Sequence, residues 1–287
     1  ALLASHTTSW ANDDAAKKPA ADKPAAKSPA PSKFLRIQRN GDDEVASLQT
    51  AIVSYRGKSA DGKKIQVDLV GAVHIGDRDY YKSLNEAFAD YEVVLYELVA
   101  PKGAKPGRGQ AGAWSPIANM LSLADQILEV DYEQDNFLHA DMSWEEMMES
   151  MEKRQESFVN MFFRMIGQGI AADSVQKSGP GDGELLAGLL FSRNPSLTWK
   201  RMMASQFEDS DKAMSWMEGP NGSTLITERN KVALKVLAEQ IAAGKTKLAV
   251  FYGAGHLPHM EERLIEDFNL KPRKTRWITA WDLSETK

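Results

Sequence analysis

The chain has 287 residues, with 35 Lys and Arg against 40 Asp and Glu, a formal net charge of −5. That balance carries no nucleic-acid footprint, and no apolar run approaches the roughly 20 residues of a membrane span. Cysteine is absent, which excludes disulfides, thiol nucleophiles and thiolate metal sites.

The first 33 residues read as a tail. The stretch "AAKKPAADKPAAKSPAPSK" is almost wholly Ala, Lys, Pro, Ser and Asp, without apolar periodicity. Such a composition predicts a solvated linker. Ahead of it, Ser9 and Ala11 flank Trp10 in the manner of a signal-peptide end. This predicts an exported protein, periplasmic or extracellular. Residues 34–287 are then read as a single α/β domain.

Three strands open that domain: "FLRIQR" (34–39), "LQTAIVSYR" (48–56) and "KIQVDLVGAV" (64–73). Asp61-Gly62 marks a hairpin between the second and third. The third is almost continuously apolar, which predicts a central strand covered on both faces. Asp77 is placed to cap a following helix, on which Tyr81, Leu84, Phe88 and Tyr91 recur at helical spacing. "EVVLYEL" (92–98) returns as a buried strand, closing a βαβ unit.

A Met-rich span, about 112–220, reads as a helical insertion, with patterns at 114–129, 143–166, 183–192 and 197–217. Asp141 or Ser143 caps the helix at 144, with Glu146 completing a capping box from Ser143. "TLITERNKVALKVLAEQIAAG" (224–244) is an amphipathic helix stopped by Gly244. "KLAVFYGAG" (247–255) is a second buried strand, and Pro258 suits the first turn of the next helix. "TRWITAWDL" (275–283) is the last strand. The expected fold is a central mixed sheet built from two pseudo-repeated halves, with the helical insertion between them.

Gly-Ala-x-His occurs twice, at Gly71–His74 and Gly253–His256, each time after a buried strand. Ligands of open α/β sheets bind beyond the carboxyl ends of the strands. Glu97 ends the apolar strand 92–98, where a carboxylate is costly unless it faces a polar cleft. Two histidines and a carboxylate from three strand ends suit a divalent metal such as Zn, Mn, Co or Fe, with His74, Glu97 and His256 as ligands. Arg229 is read as clamping an anionic group, orienting Glu97, or covering apolar neighbours on the surface. Asn230 sits beside it on the same inner helix side. His139 is read as a cleft residue or a satisfied histidine, His259 as exposed or supporting His256, and Tyr252 as an oxyanion donor or packing. Gly-x-Ser-x-Gly and His-Glu-x-x-His motifs are both missing.

In their order, Gly71-Ala-Val-His74, Glu97, Glu228-Arg229-Asn230 and Gly253-Ala-Gly-His256 resemble the TraB/TIKI/GumN superfamily, and more distantly erythromycin-esterase and ChaN-like proteins. The resemblance implies a duplicated α/β core with a central site. It implies a metal-dependent protease chemistry in which His74, Glu97 and His256 are ligands or catalytic groups and Arg229 assists. Esterase-like relatives imply a histidine base without a metal. Where a family member continues the glutamate with acidic and Arg residues, this chain has Leu98-Val99-Ala100.

The expected function is hydrolysis of a peptide or small-molecule amide by a metal-bound water. The alternatives are a non-catalytic protein that sequesters a peptide, haem or metal in the same cleft, and a metal-free esterase-like hydrolase.

Overall fold

A computed structural model describes residues 33–107, 109, 112, 114–157, 194–205, 207 and 222–284. The tail at 1–32 and the helix pattern at 183–192 lie outside the described residues, as do most of residues 158–221.

The strands are β1 (Leu35–Arg39), β2 (Val45–Lys58), β3 (Lys64–Ala72), β4 (Ile75–Gly76), β5 (Val93–Tyr96), β6 (Ala124–Asp125), β7 (Phe137–His139), β8 (Lys247–Gly253) and β9 (Lys271–Asp282). The helices among the described residues are α1 (Arg78–Phe88), α2 (Ser115–Met120), α3 (Gln126–Glu129), α4 (Trp144–Lys153), α5 (Pro195–Ser205), α6 (Arg229–Ala242) and α7 (Leu257–Glu266). A π-helical turn, Thr224–Glu228, leads into α6, and a 3-10 turn, Ala254–His256, leads into α7.

Seven strands form one mixed sheet. β3, β8, β5 and β7 run parallel in that order. β2 lies antiparallel to β3. It is long enough to pair with β9 along one edge, from Ser47 to Arg56, and with β1 and then β3 along the other. β4 and β6 make a separate two-stranded pair.

The sheet is covered on both faces, as the apolar runs require. Side chains alternate along each strand. Val70, Val94 and Phe251 face one core with Tyr81, Leu84 and Phe88 of α1. Leu69, Leu95 and Val250 face the other with Leu234 and Leu237 of α6 and Met260 and Leu264 of α7. Gly71 is packed tightly in β3, where a Cβ would lie 3.3 Å from the carbonyl oxygens of Ala51 and Phe34.

Local expectations are met at several points. Gly62 takes φ +83° in the β2–β3 hairpin. Ser143 and Glu146 form the capping box of α4. Others are revised. Asp77 occupies the N-cap position of α1, but its carboxylate makes no side-chain cap; its Oδ2 accepts from the Asp282 N–H at 2.6 Å, tying α1 to β9. Within the span expected to be helical, Phe137–His139 is a strand that adds to the main sheet beside β5. Three residues are too few for periodicity to register. β5 is also not next to β3: β8, from the far end of the sequence, lies between them.

Candidate functional site

The carboxyl ends of the four parallel strands meet at one edge of the sheet. There they deliver His74 just past β3, Gly253 and His256 at β8, Glu97 at β5 and Asp141 just past β7. α6 closes the group from the second core. Its first two residues follow the π-helical turn, whose entry is capped by Ser223 Oγ accepting from Ile226 N. An irregular turn of this kind sets the rotation of the helix that follows. Here it presents Arg229 and Asn230 inward together, both buried.

Arg229 is the hub. Its Nε donates to Asp141 Oδ1 at 3.0 Å and its Nη2 to Asp141 Oδ2 at 2.6 Å. Nη2 also donates to Glu97 Oε1 at 2.7 Å. This two-pronged grip suits the planar guanidinium. Among the described residues Nη1 makes no hydrogen bond, and Arg229 lines a cleft of about 580 Å³. Burial works against the Arg229 charge, but Asp141 and Glu97 more than offset it, so the guanidinium stays protonated.

Glu97 is held from three sides. Its Oε2 accepts from the Gly253 N–H at 2.7 Å, and its Oε1 lies 3.5 Å from His256 Nε2. A Cβ on residue 253 would stand 3.2 Å from Oε2, so glycine there leaves room for the carboxylate to reach the amide. Burial alone would raise the Glu97 pKa. His256, Arg229 and the Gly253 N–H outweigh it and hold the carboxyl well below its ordinary value.

His256 is buried in the 3-10 turn. Asn230 fixes its ring: Nδ1 meets Asn230 Oδ1 at 2.7 Å, while Asn230 Nδ2 donates to the His256 carbonyl at 2.9 Å. An amide that donates through Nδ2 must accept through Oδ1, so Nδ1 carries the proton. Nε2 is left facing Glu97 and the cleft. Asn230 Nδ2 also reaches His259 Nδ1 at 3.1 Å. His259 has its pKa lowered, first by burial and then by Arg263, which suits a neutral acceptor.

His74 lines the same cleft, exposed and stacked on Trp114 with ring centroids 5.9 Å apart and planes 7° from parallel. The two Gly-x-x-His segments diverge after their strands. One enters the short strand β4; the other winds into the turn before α7. They are also offset in register, Gly71 pairing with Tyr252 and Ala72 with Gly253.

Two candidates prove to be committed elsewhere. The Tyr252 hydroxyl donates to the Ala140 carbonyl at 2.5 Å, fastening β8 to the segment after β7. His139 is buried against Leu98 O and the Gly103 N–H, outside the cleft. Asp141, read from sequence only as a helix cap, is the residue that reasoning missed. Ser143 takes the cap, and Asp141 is free to bind Arg229. A second carboxylate close to the capping serine was its only signal.

Among the described residues no group of three His, Asp or Glu side chains is placed to hold a metal ion. Glu97 and His256 offer two donors, but Glu97 is already bonded to Arg229 and Gly253, and His74 stands apart on Trp114. As they are placed, these side chains do not fit a preformed three-ligand centre. No helix among the described residues is long and apolar enough to cross a membrane.

A comparison of the chain with protein-family models, curated proteins and solved structures finds no match.

Proposed function

We propose that the protein is a hydrolase of carboxylic esters or amides, with His256 as general base and Glu97 and Arg229 as its charged partners. The reading rests on one observation above all: His256 has its Nδ1–H fixed by Asn230 and its Nε2 turned to a buried carboxylate at the floor of a cleft. A ring held in one tautomer is what general-base catalysis needs.

In this scheme a water in the cleft attacks the substrate carbonyl carbon while His256 Nε2 takes its proton. Glu97 stabilises the imidazolium that forms. The two N–H groups of Arg229 Nη1 face the developing oxyanion. Collapse of the tetrahedral intermediate breaks the C–O or C–N bond. His256 returns the proton to the leaving group, and His74, on the cleft wall, positions it.

The TraB/TIKI/GumN resemblance supports the same cleft, because His74, Glu97, Arg229, Gly253 and His256 line it and Asn230 bonds to His256. A metal-dependent form is the second reading. It is favoured by the His256 Nε2–Glu97 Oε1 pair, two metal-ligating atoms 3.5 Å apart at the floor of the cleft. Export to the periplasm or beyond belongs to this proposal as well, on the signal-peptide pattern around Trp10.

The test is hydrolysis of ester and amide panels by the wild type, His256→Ala and His74→Ala, with metal analysis and chelator treatment. The proposal expects turnover lost in His256→Ala, reduced in His74→Ala and unchanged by chelators. Stoichiometric metal that disappears with activity in His256→Ala and Glu97→Gln selects the second reading. Ligand retention without turnover by the wild type points to a sequestering protein and rejects both. Full activity in His256→Ala removes the site assignment.

A further inference from the structure

The lining of the cleft is sharply divided by chemistry. Of the 18 described residues around it, only His74, Glu97, Arg229 and His256 are ionisable, and the rest are apolar or glycine. The buried polar groups are contiguous around Glu97, which accepts hydrogen bonds from Arg229 and the Gly253 N–H and lies 3.5 Å from His256 Nε2. Beyond them the wall is made by side chains such as Leu35, Ile75, Ile117, Phe207, Ile226 and Trp281. The Trp281 indole N–H is already donated to the Ile75 carbonyl, so the ring contributes apolar surface.

Among the described residues that wall holds no Ser, Thr, Asn, Gln, Asp or Lys side chain. A buried sugar or extended peptide would bring hydroxyls or amides that find no side-chain partner, each a desolvation loss. An aliphatic chain brings none. Volumes of about 300–1,000 Å³ take drug-sized ligands, and this cleft falls in that range.

The floor also sets the charge of the occupant. Arg229 is held by two carboxylates, Glu97 and Asp141. It retains N–H donors at Nη1 but no uncompensated positive charge. Such a floor receives a neutral carbonyl and repels a free carboxylate.

We propose that the cleft binds the acyl chain of a neutral, medium- to long-chain ester or amide, with its carbonyl oxygen on Arg229. The catalytic part rests on the hydrolase reading; the binding part does not.

The experiment has two arms. In the first, p-nitrophenyl esters from acetate to decanoate are compared by kcat/KM. The expected rise is about fourfold per added methylene until the cleft is filled. Ile117→Asp and Trp114→Ala, checked for folding by circular dichroism, should flatten that rise. In the second, N-methyldecanamide and sodium decanoate are titrated calorimetrically into the wild type and His256→Ala at neutral pH. The amide should bind both proteins with a negative heat-capacity change, and the carboxylate at least about tenfold more weakly, a gap of about 1.4 kcal/mol.

A flat or falling ester series with good turnover overturns the acyl-chain proposal and leaves the hydrolase reading standing. Amide binding with no ester turned over does the reverse. Decanoate binding as tightly as the amide overturns the neutral-head assignment. The absence of both binding and chain-length dependence overturns the proposal outright.

Discussion

Asp141 and Arg229 form a two-bond ion pair, 3.0 and 2.6 Å, between side chains only 0% and 10% exposed. The first comes from the segment after β7 and the second from the first turn of α6. The pair pins a helix of one core layer to the edge of the sheet, and through Glu97 it fixes the floor of the cleft.

Removing one member should therefore be costly. Asp141→Ala leaves a buried guanidinium with only Glu97, and the expected loss is about 3–5 kcal/mol of folding stability. Asp141→Leu combined with Arg229→Met and Glu97→Gln removes all three buried charges together and should recover most of that stability but no ester hydrolysis, because the charged floor is gone. Urea denaturation of the three proteins measures both effects. A loss under about 1 kcal/mol in Asp141→Ala would show that the pair is not buried in solution.

Asn230 acts through His256 and not on substrate. Asn230→Ala frees the imidazole ring to rotate and leaves the His256 carbonyl without its donor. The expected outcome is a kcat about 10- to 100-fold lower, the range seen when partners that orient ligand histidines are removed, with KM changed little. Stability should fall by about 1–3 kcal/mol. A KM effect with kcat intact would reassign Asn230 to substrate binding.

Gly253→Ala separates site geometry from folding. Gly253 has φ −48° and ψ 134°, which an alanine adopts without strain. Its Cβ would stand 3.2 Å from Glu97 Oε2, so the carboxylate must shift by a few tenths of an ångström. Activity should drop at least about tenfold, since an ångström of misplacement costs about a hundredfold, while thermal stability changes little. Unaltered kcat would mean that Glu97 is not needed where the structure holds it.

Glu97 also gives a pH dependence of defined sign. Its folded pKa lies well below the ordinary carboxyl value, so across that interval the unfolded chain binds more protons than the folded one. The contribution is complete above the unfolded pKa of about 4.3 and is lost as pH falls toward the folded value. Glu97→Gln should be less stable than the wild type near pH 6, and the gap should narrow near about pH 3. Denaturation curves at both pH values decide it, and a gap that widens on acidification contradicts the assignment.

What the sequence determined by itself is the set of elements and most of the site. Apolar runs marked β2, β3, β5 and β8, because burial on both faces leaves a near-continuous hydrophobic pattern. Polar residues at the ends of those runs marked His74, Glu97 and His256, and the inner face of α6 marked Arg229 and Asn230. Those signals are local. The order of parallel strands is not, since each pairs with any neighbour through the same backbone groups. Only the tertiary structure placed β8 between β3 and β5, bringing Glu97 against Gly253 and His256 across more than 150 residues of chain. It also made a three-residue edge strand of Phe137–His139, too short for periodicity to reveal, and so carried Asp141 to Arg229. The same geometry set the two Gly-x-x-His histidines apart, one stacked on Trp114 and one locked by Asn230. Identical motifs took different roles because a turn's conformation follows what packs against it, not the four residues that spell it.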